Sequence, residues 1–238
     1  MRRTVNSNRG LERGRELLRR HKQTGDQAYT FTVLDREWVA FPGVFSPVHT
    51  PATGLFTTWL PYPVGGTFLE MGSGVGVTAV WAALRGCRRV YALDINQRAV
   101  ENTRANARRH GVSDRLTAVH SDLFDALPRS STFDAIFWNS NFIETGADFQ
   151  IDDPLLHAFF DPGYATHRRF LEAAPAYLNP GGRLFLGFSD VGNQVLLRQL
   201  CQERGMDSVL LQSRTQELHM RVQFQLLEII PQIRHNSR

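Results

Sequence analysis

The feature that most constrains the fold of this chain is the run Leu69-Glu70-Met71-Gly72-Ser73-Gly74-Val75-Gly76, which follows a short apolar stretch and opens a helical one. A strand that turns through glycines into a helix leaves bare backbone for a ligand to lie against. It also aims the unpaired N–H groups of the helix start at that ligand. The alternation set up there continues. Apolar stretches at 67–71, 89–93, 116–119, 133–138 and 183–188 are separated by segments of helical periodicity, including 77–84 and 97–110 with Asn96 as cap. Gly86, Gly111 and Gly205 stop helices. Phe170, Leu171, Ala174 and Leu178 lie at helical spacing, split by Pro175, and Asn179-Pro180-Gly181-Gly182 reads as a turn. Stretches 208–212 and 218–229 read as a closing strand pair. The pattern predicts an α/β fold with a doubly wound, mostly parallel seven-stranded sheet of Rossmann-like type. Before it come a short N-terminal helix at 9–22 and a β-hairpin at 30–33 and 37–41, with a loop through Gly54. This divides the chain into a basic arm (1–25), a hairpin and loop (26–60) and an α/β body (61–238).

In such sheets ligands bind at the carboxyl ends of the strands, where the strand order reverses. Asp94 ends the second strand, 18 residues after Gly76, where a carboxylate can accept the hydroxyls of a ribose. Asp122 follows the third, placed to accept from an exocyclic amine. The glycine spacing is Gly-x-Gly-x-Gly rather than the Gly-x-Gly-x-x-Gly of dinucleotide sites, and Glu70 stands at its entrance. A carboxylate there repels pyrophosphate and suits a cationic ligand. Residues 66–188 resemble the catalytic core of the class I methyltransferases that use S-adenosylmethionine (SAM). The resemblance implies that Glu70, Gly72, Ser73, Gly74 and Gly76 line the methionine part of SAM. It also implies that Asp94 and Ile95 hold the ribose, and that Asp122 and Leu123 border the adenine.

The fourth strand runs into Asn139-Ser140-Asn141-Phe142. This resembles the Asn-Pro-Pro-Tyr/Phe signature of methyltransferases that act on planar nitrogen, such as the glutamine amides of release factors and the exocyclic amines of bases. The lone pair of such a nitrogen is delocalised, so oxygens accepting its N–H bonds must orient it and stabilise the charge that develops during attack. The resemblance implies this role for Asn139, which also touches SAM, and for the carbonyl of Ser140. Ser140 and Asn141 replace both prolines, so the substrate does not carry over. Pro42–Pro47 with Pro51-Ala52-Thr53 is similar to the cofactor-covering segment of the release-factor glutamine methyltransferases, and Phe160–Tyr164 to the stretch after their signature. Only about 40 residues precede Pro42, too few for a separate release-factor docking domain. Release-factor methylation is therefore not expected. Substrate contacts are expected from Asn141, Phe142, Phe45, His157 and Tyr164.

Residues 1–25 hold eight basic and two acidic side chains, so the net charge of +4 belongs to this arm and the rest is slightly acidic. The arm reads as a solvated, frayed helix that can also meet nucleic acid. Glu144, Asp148, Asp152 and Asp153 read as a solvated loop. Histidines are scattered without metal-ligand spacing, so no metal site is expected. Cys87 and Cys201 read as free thiols in a reducing cytoplasm, and no membrane partner is expected. The leading expectation is N-methylation of a small-molecule amine or amide. Methylation of a tRNA or rRNA base, methylation of a protein side chain, and a SAM-binding protein without catalysis stay open.

Overall fold

A computed structural model describes residues 2–232. Helix α1 (Arg2–Gln23) leads into the hairpin β1 (Tyr29–Val33) and β2 (Arg36–Ala40). Leu34 and Asp35 make its two-residue turn, both left-handed at φ 53° and 54°. A one-turn 3-10 helix (Pro47–His49) and helix α2 (Ala52–Trp59) follow. Then the wound pattern begins: β3 (Thr67–Met71), α3 (Val77–Leu84), β4 (Arg89–Asp94), α4 (Gln97–Arg109), β5 (Leu116–His120) and β6 (Phe133–Asn139). Short strands β7 (Ile143–Thr145) and β8 (Phe160–Pro162) flank the 3-10 turn Pro154–Ala158. Helix α5 (Ala165–Ala173), β9 (Leu178–Ser189), α6 (Gln194–Gln202), β10 (Met206–Glu217) and β11 (Arg221–Pro231) complete the chain.

The main sheet has seven strands in the order β10-β11-β9-β6-β3-β4-β5, with β11 antiparallel to both neighbours and the others parallel. From β3 the chain winds outward through β4 and β5, then returns to the other side of β3 as β6. The order therefore reverses between β3 and β6, where the sequence places the glycine loop and Asn139. Both sheet faces are covered, and strand residues alternate between two cores. Ala135 and Phe137 pack with Phe56, Val80 and Val100 beneath α2, α3 and α4. Ile136 and Trp138 pack with Phe170 and Leu200 beneath α5 and α6. Among the described residues no helix is long and apolar enough to cross a membrane.

The N-terminal elements are docked on the body. The fully buried Asn102 and Asn106 of α4 hold the hairpin: their Oδ1 atoms accept from Phe41 N at 2.7 Å and Val39 N at 2.9 Å. Helix α1 is not the solvated arm expected from its charge. Leu17 is buried with Ile143, Leu155 and Phe160. The helix crosses so closely that a Cβ on Gly14 would collide with the Phe160 ring. Four of its basic side chains are paired within the chain: Arg19 and Arg20 with Glu16, Lys22 with Asp153 at 3.4 Å, and Arg9 with Asp190 at 3.8 Å. Asn179–Gly182 is not a separate turn but a wide bulge within β9. Pairing with β6 skips from Phe133↔Leu178 to Ala135↔Arg183, so the four residues loop out without ending the strand. Pro175 acts as expected, since α5 stops at Ala173 and a 3-10 turn (Ala174–Tyr177) continues. Helix α2 falls where a loop was expected. Its Gly and Thr residues favour helix weakly, and burial of Phe56 against the sheet stabilises it instead.

Candidate active site

The glycine loop is fixed from beneath. Gly72 N and Ser73 N both donate to Leu93 O, at 2.7 and 3.1 Å, and Gly74 N donates to Asp94 Oδ2 at 2.8 Å. Gly72 and Gly74 have φ of +65° and +54°, a region that L side chains rarely adopt. A Cβ on Gly74 would lie in van der Waals contact with Phe45 O, at 3.4 Å. The segment containing Phe45 thus lies over the loop.

Asp94 is buried, and its other oxygen accepts from Asn96 N at 2.9 Å. Burial raises its pKa, against the two backbone hydrogen bonds. Glu70 is buried at the start of α3, where Oε2 accepts from Ala79 N at 2.8 Å. Burial raises its pKa from 4.5 to about 8 and the nearby Asp94 adds to this, while hydrogen bonds from Thr78 and Ala79 oppose. The carboxylate expected from the sequence is therefore mostly protonated at neutral pH until a cation arrives.

These groups open onto one cavity. Glu70, Gly72, Ser73, Gly74, Asp94 and Ile95 line one end, with Asp122 and Leu123 beyond them. Asn139, Ser140, Asn141 and Phe142 also line the cavity, as do Phe45 and His157. Burial lowers the pKa of His157, the largest of the effects on it.

Two expected residues are not part of the wall. Gly76 packs behind it, where a Cβ would crowd Thr103. Tyr164 is fully buried, and its hydroxyl donates to Phe142 O at 2.5 Å and accepts from Asn193 N at 2.8 Å. Burial raises its pKa well above the usual phenol value. It braces the Phe142 loop and is not among the residues that line the cavity. Asp122 is not a lone acceptor either, since Arg169 Nη1 contacts both its oxygens at 3.0 and 3.1 Å.

The cavity also recruits residues that the sequence did not single out: Leu17, Thr50, Trp138, Leu155, Phe159 and Arg169. Leu17 carried a faint signal, since Leu11, Leu17 and Leu18 fall on one side of a helix over 9–22. Arg169 carried none, because it lies 47 residues from Asp122.

The loop after β6 is stiff without prolines. Ser140 Oγ and N both reach Gly187 O, at 2.9 and 3.2 Å, and Asn141 Nδ2 donates to Phe160 O at 2.9 Å.

The family model of the methyltransferase small domain matches residues 36–204. The chain belongs to this family. Among the relatives of this small-domain methyltransferase is the ribosomal protein uL3 glutamine methyltransferase of Bordetella pertussis. It is 33% identical over 125 residues, which cover 50% of this chain and 42% of the relative. The ribosomal RNA small subunit methyltransferase C of Alcanivorax borkumensis is 29% identical over 158 residues, covering 65% and 43%. The chain thus spans under half the length of either relative. In fold it is similar to the ribosomal protein L11 methylase of Lactobacillus delbrueckii subsp. bulgaricus, with a TM-score of 0.55 at 15% identity over 82% of this chain and 84% of that one.

The cavity of this small-domain methyltransferase fits SAM. The bare Gly72–Gly74 backbone leaves room for a ligand to approach. Each Asp94 oxygen accepts one backbone N–H and keeps a lone pair for a hydroxyl. Glu70 is a buried carboxyl suited to a cationic neighbour.

Proposed function

We propose that this protein N-methylates a planar amide, the side chain of a glutamine carried by another protein. The observation that carries this reading is Asn139. It lines the cavity at the end of β6, together with Asn141 and the apolar side chains of Leu17, Phe45, Phe142, Leu155 and Phe159. A cavity that combines apolar side chains with carboxamides is complementary to an aliphatic stem that ends in an amide. The small-molecule acceptor expected from the sequence gives way to a macromolecular one here, because the relatives are named for a ribosomal protein and for ribosomal RNA. Protein is favoured over RNA because much of the positive charge of α1 is engaged within the chain.

When bound, SAM supplies an electrophilic methyl group on a sulfonium sulfur. Asn139 accepts an N–H of the acceptor amide and turns its nitrogen toward that methyl. The apolar wall excludes water, which strengthens each such contact. The nitrogen would take the methyl from SAM held there, leaving S-adenosylhomocysteine, and its surplus proton would pass to solvent as the product leaves.

The test is incubation with radiolabelled SAM and ribosomal subunits, followed by separation of protein from RNA and identification of the modified residue. Label on a glutamine supports the reading; label confined to RNA or to small molecules overturns it. Asn139→Ala is expected to lower turnover by roughly 100- to 1,000-fold with S-adenosylhomocysteine affinity unchanged. Asp94→Ala is expected to weaken that affinity.

A further inference from the structure

Asn141 is 94% buried and lines the same cavity as Asn139. Its Nδ2 donates to Phe160 O, which fixes the side chain, because a flipped amide would set oxygen against oxygen. Its Oδ1 is buried with no hydrogen-bond partner among the described residues. An unpaired buried oxygen is costly, and in native proteins such an atom calls for an explanation. Ser140, between the two asparagines, has its hydroxyl committed to Gly187 O on the neighbouring strand.

We propose that Asn139 and Asn141 form a carboxamide pair in which each Oδ1 accepts one of the two N–H bonds of the acceptor amide. This makes Asn141 a specificity-determining residue that limits the enzyme to an unmethylated –NH2 group, and so to a single methyl. The inference rests on the amide reading above. One transfer exchanges an N–H for an N–CH3 and releases that proton. The product then has one N–H for two oxygens, and one of them is left buried and unpaired. A site built to hydrogen-bond a group rejects the analogue that lacks it. The assignment also gives the Asn141 amide the partner it lacks, and it assigns the second acceptor to this side chain rather than to the Ser140 carbonyl.

The test uses the full chain saturated with S-adenosylhomocysteine and two probes: a capped tripeptide with a central glutamine, and the same peptide with its amide nitrogen singly methylated. Wild type is expected to bind the unmethylated peptide about tenfold more tightly. Asn141→Ala should reduce that preference to within about twofold, with S-adenosylhomocysteine affinity intact as the check on folding. If Asn141→Ala loses that affinity, Asn141→Ser replaces it. With SAM in place of S-adenosylhomocysteine, mass spectrometry should find only monomethylated peptide from wild type. A preference that survives in the variant overturns the role of Asn141 and leaves the amide reading standing. Failure of wild type to bind or methylate either peptide overturns the amide reading, and the carboxamide pair falls with it.

Discussion

At the residue scale, Glu70 couples the cofactor site to pH. Its folded pKa of about 8 lies above the ordinary 4.5, so the unliganded protein holds the proton more tightly than the unfolded chain. The stability of the unliganded protein therefore falls as pH rises from about 4.5 to about 8. A cationic ligand favours the ionised form, so binding releases a proton. SAM affinity is expected to rise between about pH 6 and about pH 8, and Glu70→Gln to flatten that rise. Calorimetry in buffers of different ionisation enthalpy measures the proton directly. Equal proton release from wild type and Glu70→Gln would assign it to another group.

At the element scale, α1 is the piece whose role changes most between sequence and structure. Its sequence reads as a charged arm, yet Leu17 forms part of the cavity wall. His21 latches it to the covering segment: Nδ1 donates to Leu17 O at 2.7 Å and Nε2 accepts from Ser46 N at 3.0 Å. A protonated Nε2 cannot accept from Ser46 N, though it can donate to Ser46 O at 3.2 Å, and burial, the largest influence, lowers the His21 pKa to about 4. The stability contributed by the neutral ring is complete above about pH 6.5 and is lost as pH falls toward about 4. Amide hydrogen exchange in α1 is expected to quicken between pH 7 and pH 4.5 once corrected for the intrinsic rate. Unchanged protection would remove His21 as the latch. Arg13 of the same helix is buried, and its Nη2 has no hydrogen-bond partner among the described residues, although the charge of Glu16 acts on it. A buried cation with an unpaired N–H costs stability, so Arg13→Met should raise the melting temperature by about 2–4 °C. A lower melting temperature would mean that the guanidinium is compensated in the folded protein.

At the scale of the whole molecule, both ends of the cavity depend on the reversal of strand order between β3 and β6. The cofactor end hangs on β3 and β4, and the substrate end on β6 with α1 and the 3-10 turn at Pro154–Ala158. A ligand at the cofactor end ties the two windings of the sheet together. At 100 times its dissociation constant, S-adenosylhomocysteine should stabilise the protein by about 2.7 kcal/mol, a rise in melting temperature of about 5–11 °C. Differential scanning fluorimetry against an NAD control measures this. A shift with NAD alone would reassign the cofactor.

What the sequence determined by itself is local. The strand–glycine loop–helix unit, the Asn96 cap, the break at Pro175 and Asp94 at a strand end are visible because they follow from backbone preference and spacing over a few residues. The wound sheet follows from their alternation. Tertiary structure decided what depends on residues far apart in the chain. The Asp122–Arg169 pair, the place of Leu17 in the wall, the burial of Tyr164 and the protonation of Glu70 all arise only on packing. Desolvation and cross-strand hydrogen bonds have no period in a sequence. The same holds for Asn141: its amide could be read from the chain, but only the Phe160 carbonyl fixes which of its two ends is left without a partner.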